Sequence, residues 1–447
     1  MSISLPTINP NEDHDHQEKT GLGNYFVANY PPFSFWKSDS VAEAERVLNT
    51  PPRPGVPLGL YLHIPFCRKR CKFCYFRVYT DKNARDVETY QDALLKEVEL
   101  YSQVPAVKGR PLQFVYFGGG TPSYLSVGQL QTLFQGITKY FPDQHPEEVT
   151  FECEPGTLQQ PKLAALKELG ITRLSLGVEN FSDQILEENG RAHRSPEIWK
   201  AYGWAKDLHF DQINIDLIAG MVGETWENWK DCVRKTIDLA PESVTIYQME
   251  LPFNTVISKE MRDHGEMTTT IIADWPTKRA WVEYGFTELA KAGYEPSSGY
   301  TMVKNKSTTK FIYRDSLWHG ADLLGTGVAS FGHVSGVHMQ NVDGWDQYIQ
   351  VLGEGRLPLN RAFKLKPEEQ LTREMVLQLK TGALDLNYFR TKFGVDVLQH
   401  FHNAFTELYK GGNLQYAPEQ VQLTTQGLLQ IDKLLPVFFN QKYRQDR

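Results

Sequence analysis

Between residue 57 and about residue 255, short runs rich in Val, Ile, Tyr and Phe alternate with stretches whose apolar residues recur every three or four positions. The short runs predict strands over Gly59–Pro65, Phe114–Phe117, Glu148–Cys153, Arg173–Val178, Gln212–Ile218 and Ser243–Met249. The longer stretches predict helices over Asp86–Ser102, Ser126–Phe141, Gln159–Leu169, Pro196–Leu208 and Glu224–Leu239. In the first of these, Val87, Tyr90, Leu94, Val98 and Tyr101 form one apolar stripe. Six strand–helix units in series predict an α/β fold with a parallel sheet, open or closed into a barrel, whose chemistry sits at the C-terminal ends of the strands.

The flanks differ. Residues 1–56 read as an N-terminal tail and arm: a polar, solvated stretch holding His14 and His16, then an aromatic and proline-rich segment, Gly23–Trp36, expected to pack on the main domain. Residues 57–295 hold the repeats and a further helix. Residues 296–366 mix short strands and turns. From Pro367 to residue 447 the pattern becomes helix, helix, hairpin, with Glu369–Leu379 and Asp396–Lys410 preceding Gly411-Gly412 and a hairpin over Leu414–Leu423. That is a small winged-helix-like domain. Its basic and acidic residues nearly balance, which favours a packing or lid role over DNA binding.

Composition is that of an ordinary globular chain, 41 % hydrophobic and 23 % charged, with a net charge of −7. A mildly acidic chain lacks the positive balance of a general nucleic-acid binder. The absence of a signal-peptide pattern and of a long apolar run predicts a soluble, cytoplasmic protein with no membrane span. Of five cysteines, Cys67, Cys71 and Cys74 lie within eight residues, while Cys153 and Cys232 are scattered. This is no disulfide framework; the clustered thiols are expected to act.

They stand in Tyr61-Leu-His-Ile-Pro-Phe-Cys67-Arg-Lys-Arg-Cys71-Lys-Phe-Cys74, in the loop leaving the first strand. Three thiolates can hold three irons of a [4Fe–4S] cluster and leave the fourth open. A zinc site would want a fourth Cys or His nearby. Arg68, Lys69, Arg70 and Lys72 surround the thiols and favour an anionic cluster. A second motif, Phe117-Gly-Gly-Gly-Thr-Pro122, ends the second strand. Its glycines are expected to let a ligand approach the backbone and to offer it N–H groups.

The C-x3-C-x2-C motif with an aromatic residue before the third cysteine resembles radical S-adenosylmethionine (SAM) enzymes. Leu60–Cys67, Gly118–Pro122, Leu174-Ser-Leu-Gly-Val-Glu179, Asn214-Ile-Asp-Leu-Ile218 and Asp322-Leu-Leu-Gly-Thr-Gly327 resemble the oxygen-independent coproporphyrinogen III oxidase family. The resemblance implies a partial (β/α)6 TIM-type barrel, a [4Fe–4S] cluster on Cys67, Cys71 and Cys74, and one or two SAM molecules. Tyr61, Gly119, Glu152 and Phe331 match positions touching a first SAM, Glu152 pairing its amino group and Phe331 meeting its adenine through the backbone. Phe73, Gly120, Thr121, Glu179, Arg191, Asp216 and Met249 match positions holding a second. Of these, Glu179, Arg191 and Asp216 are the candidate catalytic residues. A one-electron donor such as flavodoxin or ferredoxin is implied as partner.

Departures sort the possible reactions. The porphyrinogen oxidases carry a fourth cysteine where this chain has Phe76, and Gln where it has Glu179. The haem-chaperone relatives share an aromatic after the third cysteine but carry a His-Asn-x-x-Tyr-Trp word where this chain reads Asp315-Ser-Leu-Trp-His-Gly320. A third branch transfers a methyl group from a second SAM to an sp2 carbon and also lacks the fourth cysteine. Tyr247-Gln-Met-Glu-Leu-Pro252 is compatible with an aromatic or quinone-like substrate. The leading expectation is therefore radical methylation; the alternatives are oxidative decarboxylation of coproporphyrinogen III, a tetrapyrrole, and haem handling.

Overall fold

The structure is a computed structural model that describes residues 19–22 and 26–444. The tail with His14 and His16 lies outside the described residues. Six strands lie side by side in chain order and all parallel: β1 (Leu58–Ile64), β2 (Phe114–Gly119), β3 (Glu148–Cys153), β4 (Arg173–Glu179), β5 (Gln212–Ala219) and β6 (Ser243–Gln248). Helices Ala84–Gln103, Val127–Tyr140, Gln160–Glu168, Ser195–Asp207 and Trp226–Leu239 connect them, within two residues of the bounds that periodicity predicts. Side-chain caps fix several starts: Asn83 accepts from Arg85 N and Asp86 N, Ser126 from Gln129 N, and Thr225 from Asn228 N.

The pleat sorts the strand residues into two rows. Leu60, Leu62, Phe117, Phe151, Leu174, Leu176, Ile215 and Leu217 are fully buried in the main core, which also takes in the surrounding helices. Each such side chain stabilises the fold by roughly 1.5–3 kcal/mol, so this row carries the barrel's stability. The alternate positions include Tyr61, Tyr116, Thr150, Glu152, Ser175, Asn214, Asp216 and Thr245, a polar interior. Asn214 Nδ2 donates to Ser175 Oγ at 3.0 Å and to Asp216 Oδ1 at 2.9 Å. The hydroxyls of Ser243 and Thr245 donate to Asn214 Oδ1 at 2.8 and 3.0 Å.

The segment 296–366 supplies both edges of this sheet. Asp322–Thr326 runs parallel to β1 and continues into antiparallel strands Phe331–Val334, Val337–Asn341 and Leu359–Lys364. Thr301–Val303 pairs antiparallel with β6 at the other edge. The result is the expected partial barrel with a helical C-terminal domain. In that domain Ala383–Asp385, Gln420–Leu423 and Leu414–Ala417 form a three-stranded sheet beside helices Pro367–Leu379, Leu386–Phe393 and His402–Lys410. The helix expected over Asp396–Lys410 is broken at Phe401, with Val397–His400 before it. Phe401 leaves the helical conformation (ψ 32°), and its ring lies 5.8 Å from Phe438.

The arm is built into the molecule. Val27 and Tyr30 are buried in the core of the C-terminal domain, with Tyr30 4.8 Å from Phe439 and 5.4 Å from Tyr443. Trp36 stacks on His338 at 4.7 Å. Helix Val41–Leu48, which the sequence reading left within the arm, buries Ala44, Val47 and Leu48. Among the described residues no helix is long and apolar enough to cross a membrane.

Candidate active site

β1 delivers Cys67 to its C-terminal end, where the loop is closed by Cys67 N donating to Tyr79 O at 3.1 Å and Tyr79 N to Pro65 O at 2.7 Å. Inside it, Cys74 N donates to Cys71 O at 3.2 Å, and Arg70 Nη2 to Cys74 O at 3.0 Å. Lys72 anchors the loop from both sides. Its N–H donates to Asn189 O at 3.0 Å, and its carbonyl accepts from Val256 N and Ile257 N at 3.0 and 3.3 Å.

All three thiols are half-buried and unpaired. Side chains donate to two of the sulfurs: Thr121 Oγ1 to Cys67 Sγ at 3.4 Å and Arg191 Nη1 to Cys71 Sγ at 3.3 Å. Burial, with the neighbouring thiols adding to it, pushes Cys67 up to about 12; burial and Cys71 push Cys74 up to about 11. Burial thus disfavours the thiolate form at Cys67 and Cys74. Thiols gathered in one loop, with N–H and O–H donors aimed at sulfur, form a donor set that fits an iron–sulfur cluster. Among the described residues no three Cys, His, Asp or Glu side chains gather into a site for a single metal ion. Cys153 and Cys232 lie apart in the core, 4 % and 0 % exposed.

The glycine loop corrects one expectation. Gly119 has φ +112°, and a Cβ there would lie 2.5 Å from the His63 ring. A Cβ at Gly120 would lie 2.9 Å from the backbone of Ile64, Pro65 and Phe66. Gly120 N donates to Ile64 O and Thr121 N to Phe66 O, both at 2.8 Å, while Gly119 N donates to Glu152 Oε2 at 3.2 Å. These amides are engaged within the protein rather than offered to an anion. The glycines are required because β2 closes tightly on the end of β1, and that closure places Thr121 on Cys67.

Glu152, on β3, faces the interior. Tyr116 OH donates to its Oε1 at 2.6 Å. Burial pushes its carboxyl up to about 7, against the Tyr116 and Gly119 donors. Tyr61 shares this wall, its OH 3.2 Å from His63 Nδ1 and its ring stacked on Tyr116 at 5.9 Å. Asp216 accepts from Ser175 Oγ at 2.8 Å and, like Glu152, has its pKa raised by burial. Glu179 ends β4 with φ +62°, at a register shift against β5. Burial pushes it up to about 7, and Arg191, 3.6 Å away, opposes that shift.

Other expected positions make different contacts. Met249 is 3 % exposed and packs in an apolar cluster with Leu251, Ile257 and Met261, against which Phe73 also rests. The Phe331 side chain is exposed and meets the arm, 5.5 Å from Trp36 and 6.0 Å from Phe33. The sequence reading missed Tyr116, Ser175, Asn214 and the buried Arg173, which lies 4.1 Å from the Phe311 ring. The signal for them was a two-residue alternation of polar positions, such as Glu148-x-Thr150-x-Glu152 and Asn214-x-Asp216.

Comparison with known proteins bears on the family and the fold. The family model described as the radical SAM superfamily matches residues 61–236. The chain is 26 % identical to the oxygen-independent coproporphyrinogen III oxidase of Synechocystis sp., over 98 % of this chain and 96 % of that protein. It is 28 % identical to the haem chaperone HemW of Bacillus subtilis, over 85 % of this chain and 99 % of that protein. The solved structure of Escherichia coli coproporphyrinogen III oxidase (HemN) shares the fold, with a TM-score of 0.77, 23 % identity and coverage of 92 % of this chain and 96 % of that one. With the cysteine loop at the end of β1 and this likeness over nearly the whole length, the chain carries a match to the radical SAM superfamily over residues 61–236 and is similar to the oxygen-independent coproporphyrinogen III oxidases and their haem-chaperone relatives.

Proposed function

We propose that Cys67, Cys71 and Cys74 hold a [4Fe–4S] cluster and that the chain oxidises a tetrapyrrole of the coproporphyrinogen III type. The relatives reverse the order expected from Phe76 and Glu179. They are coproporphyrinogen oxidases and haem chaperones, so oxidative decarboxylation displaces methyl transfer as the leading reaction. The observation that carries the reading is the thiol loop at the mouth of a polar barrel, with Thr121 and Arg191 on its sulfurs and Glu152 on the wall.

A cluster held by Cys67, Cys71 and Cys74 would supply the one-electron reduction of SAM on which radical hydrogen abstraction from substrate depends. The chain's own residues bind and orient. Glu152, as carboxylate, pairs with the SAM amino group, and Tyr61 and the Gly119 backbone flank it; the backbone at Phe331 meets the adenine. Phe73, Gly120, Thr121, Glu179, Arg191 and Asp216 are assigned to a second SAM, and Met249 to the apolar cluster beside them. The exposed rings of Tyr75, Phe76 and Tyr247 offer apolar surface to a large ring system. A protein donor such as flavodoxin or ferredoxin supplies the electron.

The test is anaerobic reconstitution with dithionite, methyl-labelled SAM and coproporphyrinogen III. The expected products are 5′-deoxyadenosine, carbon dioxide and protoporphyrinogen IX. Label entering a product, with S-adenosylhomocysteine formed alongside, would restore the methylation reading. Stoichiometric haem binding without SAM cleavage would favour haem handling, the reading that Phe76 after the third cysteine supports.

A further inference from the structure

One guanidinium in the site is divided between a thiol and a carboxylate. Arg191 Nη1 donates to Cys71 Sγ at 3.3 Å, Nη2 donates to Gly177 O at 2.6 Å, and Nη2 also lies 3.6 Å from Glu179 Oε1. Both side chains are nearly enclosed, 13 % and 12 % exposed. Arg191 Nε is buried without a partner. The backbone is shaped around this triangle. Glu179 sits at φ +62°, in the left-handed region that favours glycine. A Cβ on Gly177 would lie 2.9 Å from Glu179 Oε1 and 3.1 Å from Arg191 Nη2, so any side chain there would force the pair apart.

We propose that Arg191 is a redox-positioning residue: its N–H on Cys71 holds up the reduction potential of a cluster bound there, and Glu179 limits the effect by competing for the same cation. The proposal rests on the cluster reading above. Reduction adds one electron, and one negative charge, to the cluster with its thiolates; no bond or proton changes. A cationic donor on a ligating sulfur stabilises the reduced form more than the oxidised one, and hydrogen bonds to sulfur are among the determinants of such potentials. A carboxylate drawing on the same guanidinium does the reverse.

The experiment is a dithionite-poised titration of the reconstituted full chain without SAM, read by electron paramagnetic resonance of the reduced cluster. It is run at pH 8.5, above the value of about 7 to which burial pushes Glu179. Arg191→Gln is expected to lower the reduction equilibrium about tenfold, which is 59 mV for one electron. Glu179→Gln is expected to raise it several-fold, and Arg191→Lys to fall between wild type and Arg191→Gln. A merely structural role for Arg191 does not produce opposite shifts in the two neutralising variants. Potentials that stay put, or move the same way, at full iron and sulfide content overturn the proposal. Should Arg191→Gln lose iron, Glu179→Gln upward and Arg191→Lys downward decide it in the same way. A wild-type chain that takes up no four-iron cluster removes the cluster reading itself.

Discussion

Tyr116→Phe removes one oxygen and keeps the ring. In the structure that oxygen donates to Glu152 at 2.6 Å, inside the barrel, to a carboxyl that burial already holds at about 7. A hydrogen bond to a charged group is worth about 1.5–3 kcal/mol, and one pKa unit corresponds to about 1.4 kcal/mol, so the loss raises Glu152 by about one to two units. At pH 7.5 the ionised fraction then falls from about three quarters to between about one quarter and a few per cent, by the same titration arithmetic. If the carboxylate is what pairs with the SAM amino group, SAM affinity drops by about 3- to 25-fold at that pH and recovers above about pH 9.5. Stability follows a defined sign. Glu152 is raised above its unfolded value, so the native state holds the extra proton, and stability falls as pH rises from the unfolded pKa to about 7. In Tyr116→Phe that decline extends about one to two units further. The assay is equilibrium SAM binding to the anaerobically reconstituted protein from pH 6.5 to 9.5, with thermal unfolding alongside. A variant that binds SAM like wild type at every pH refutes the role given to Glu152.

Replacing Cys67, Cys71 or Cys74 by Ala is expected to abolish both the brown cluster and SAM cleavage, whereas Cys153→Ser and Cys232→Ser keep four irons per chain by iron and sulfide assay. Gly119→Ala sets a methyl 2.5 Å from His63 at φ +112°, so the expected outcome is a loss of about 2–4 kcal/mol in denaturant unfolding of the metal-free chain, before any ligand is added. Unchanged metal-free stability would refute the packing role given to Gly119. Trp36→Ala removes the ring stacked on His338 and is expected to destabilise the chain by about 3–5 kcal/mol, read as a lower thermal midpoint.

The strands and helices between 57 and 255 were legible because each carries a period of its own, strengthened by start signals such as Asn83 and Ser126. The thiol loop was legible because its three ligand candidates are neighbours in sequence. What escaped needed register. Tyr116 reaches Glu152 only because β2 and β3 pair Tyr116 with Thr150, placing residue 152 one inward step further on. Nor does the glycine run state which neighbour forbids a side chain; the answer, His63, lies on the adjacent strand. Phe401 has helix-forming neighbours, and only its packing on Phe438 reveals the break. Met249 resembles a ligand position by its word, yet its surroundings are those of an apolar core.

The way the arm is seated also sets a timetable for synthesis. Val27 N donates to Asp432 Oδ1, and Tyr30 OH accepts from Asn440 N, contacts spanning 405 and 410 residues. The barrel strands, by contrast, are complete in sequence by Thr326. At about 5–20 residues per second, the segment made first waits on the order of 20–80 s for the partners that will hold it. Through that interval the thiol loop and its barrel already exist as sequence able to fold, while Val27 and Tyr30 still lack the partners that hold them. Assembly therefore closes from the outside last, with the arm and the C-terminal domain locking each other.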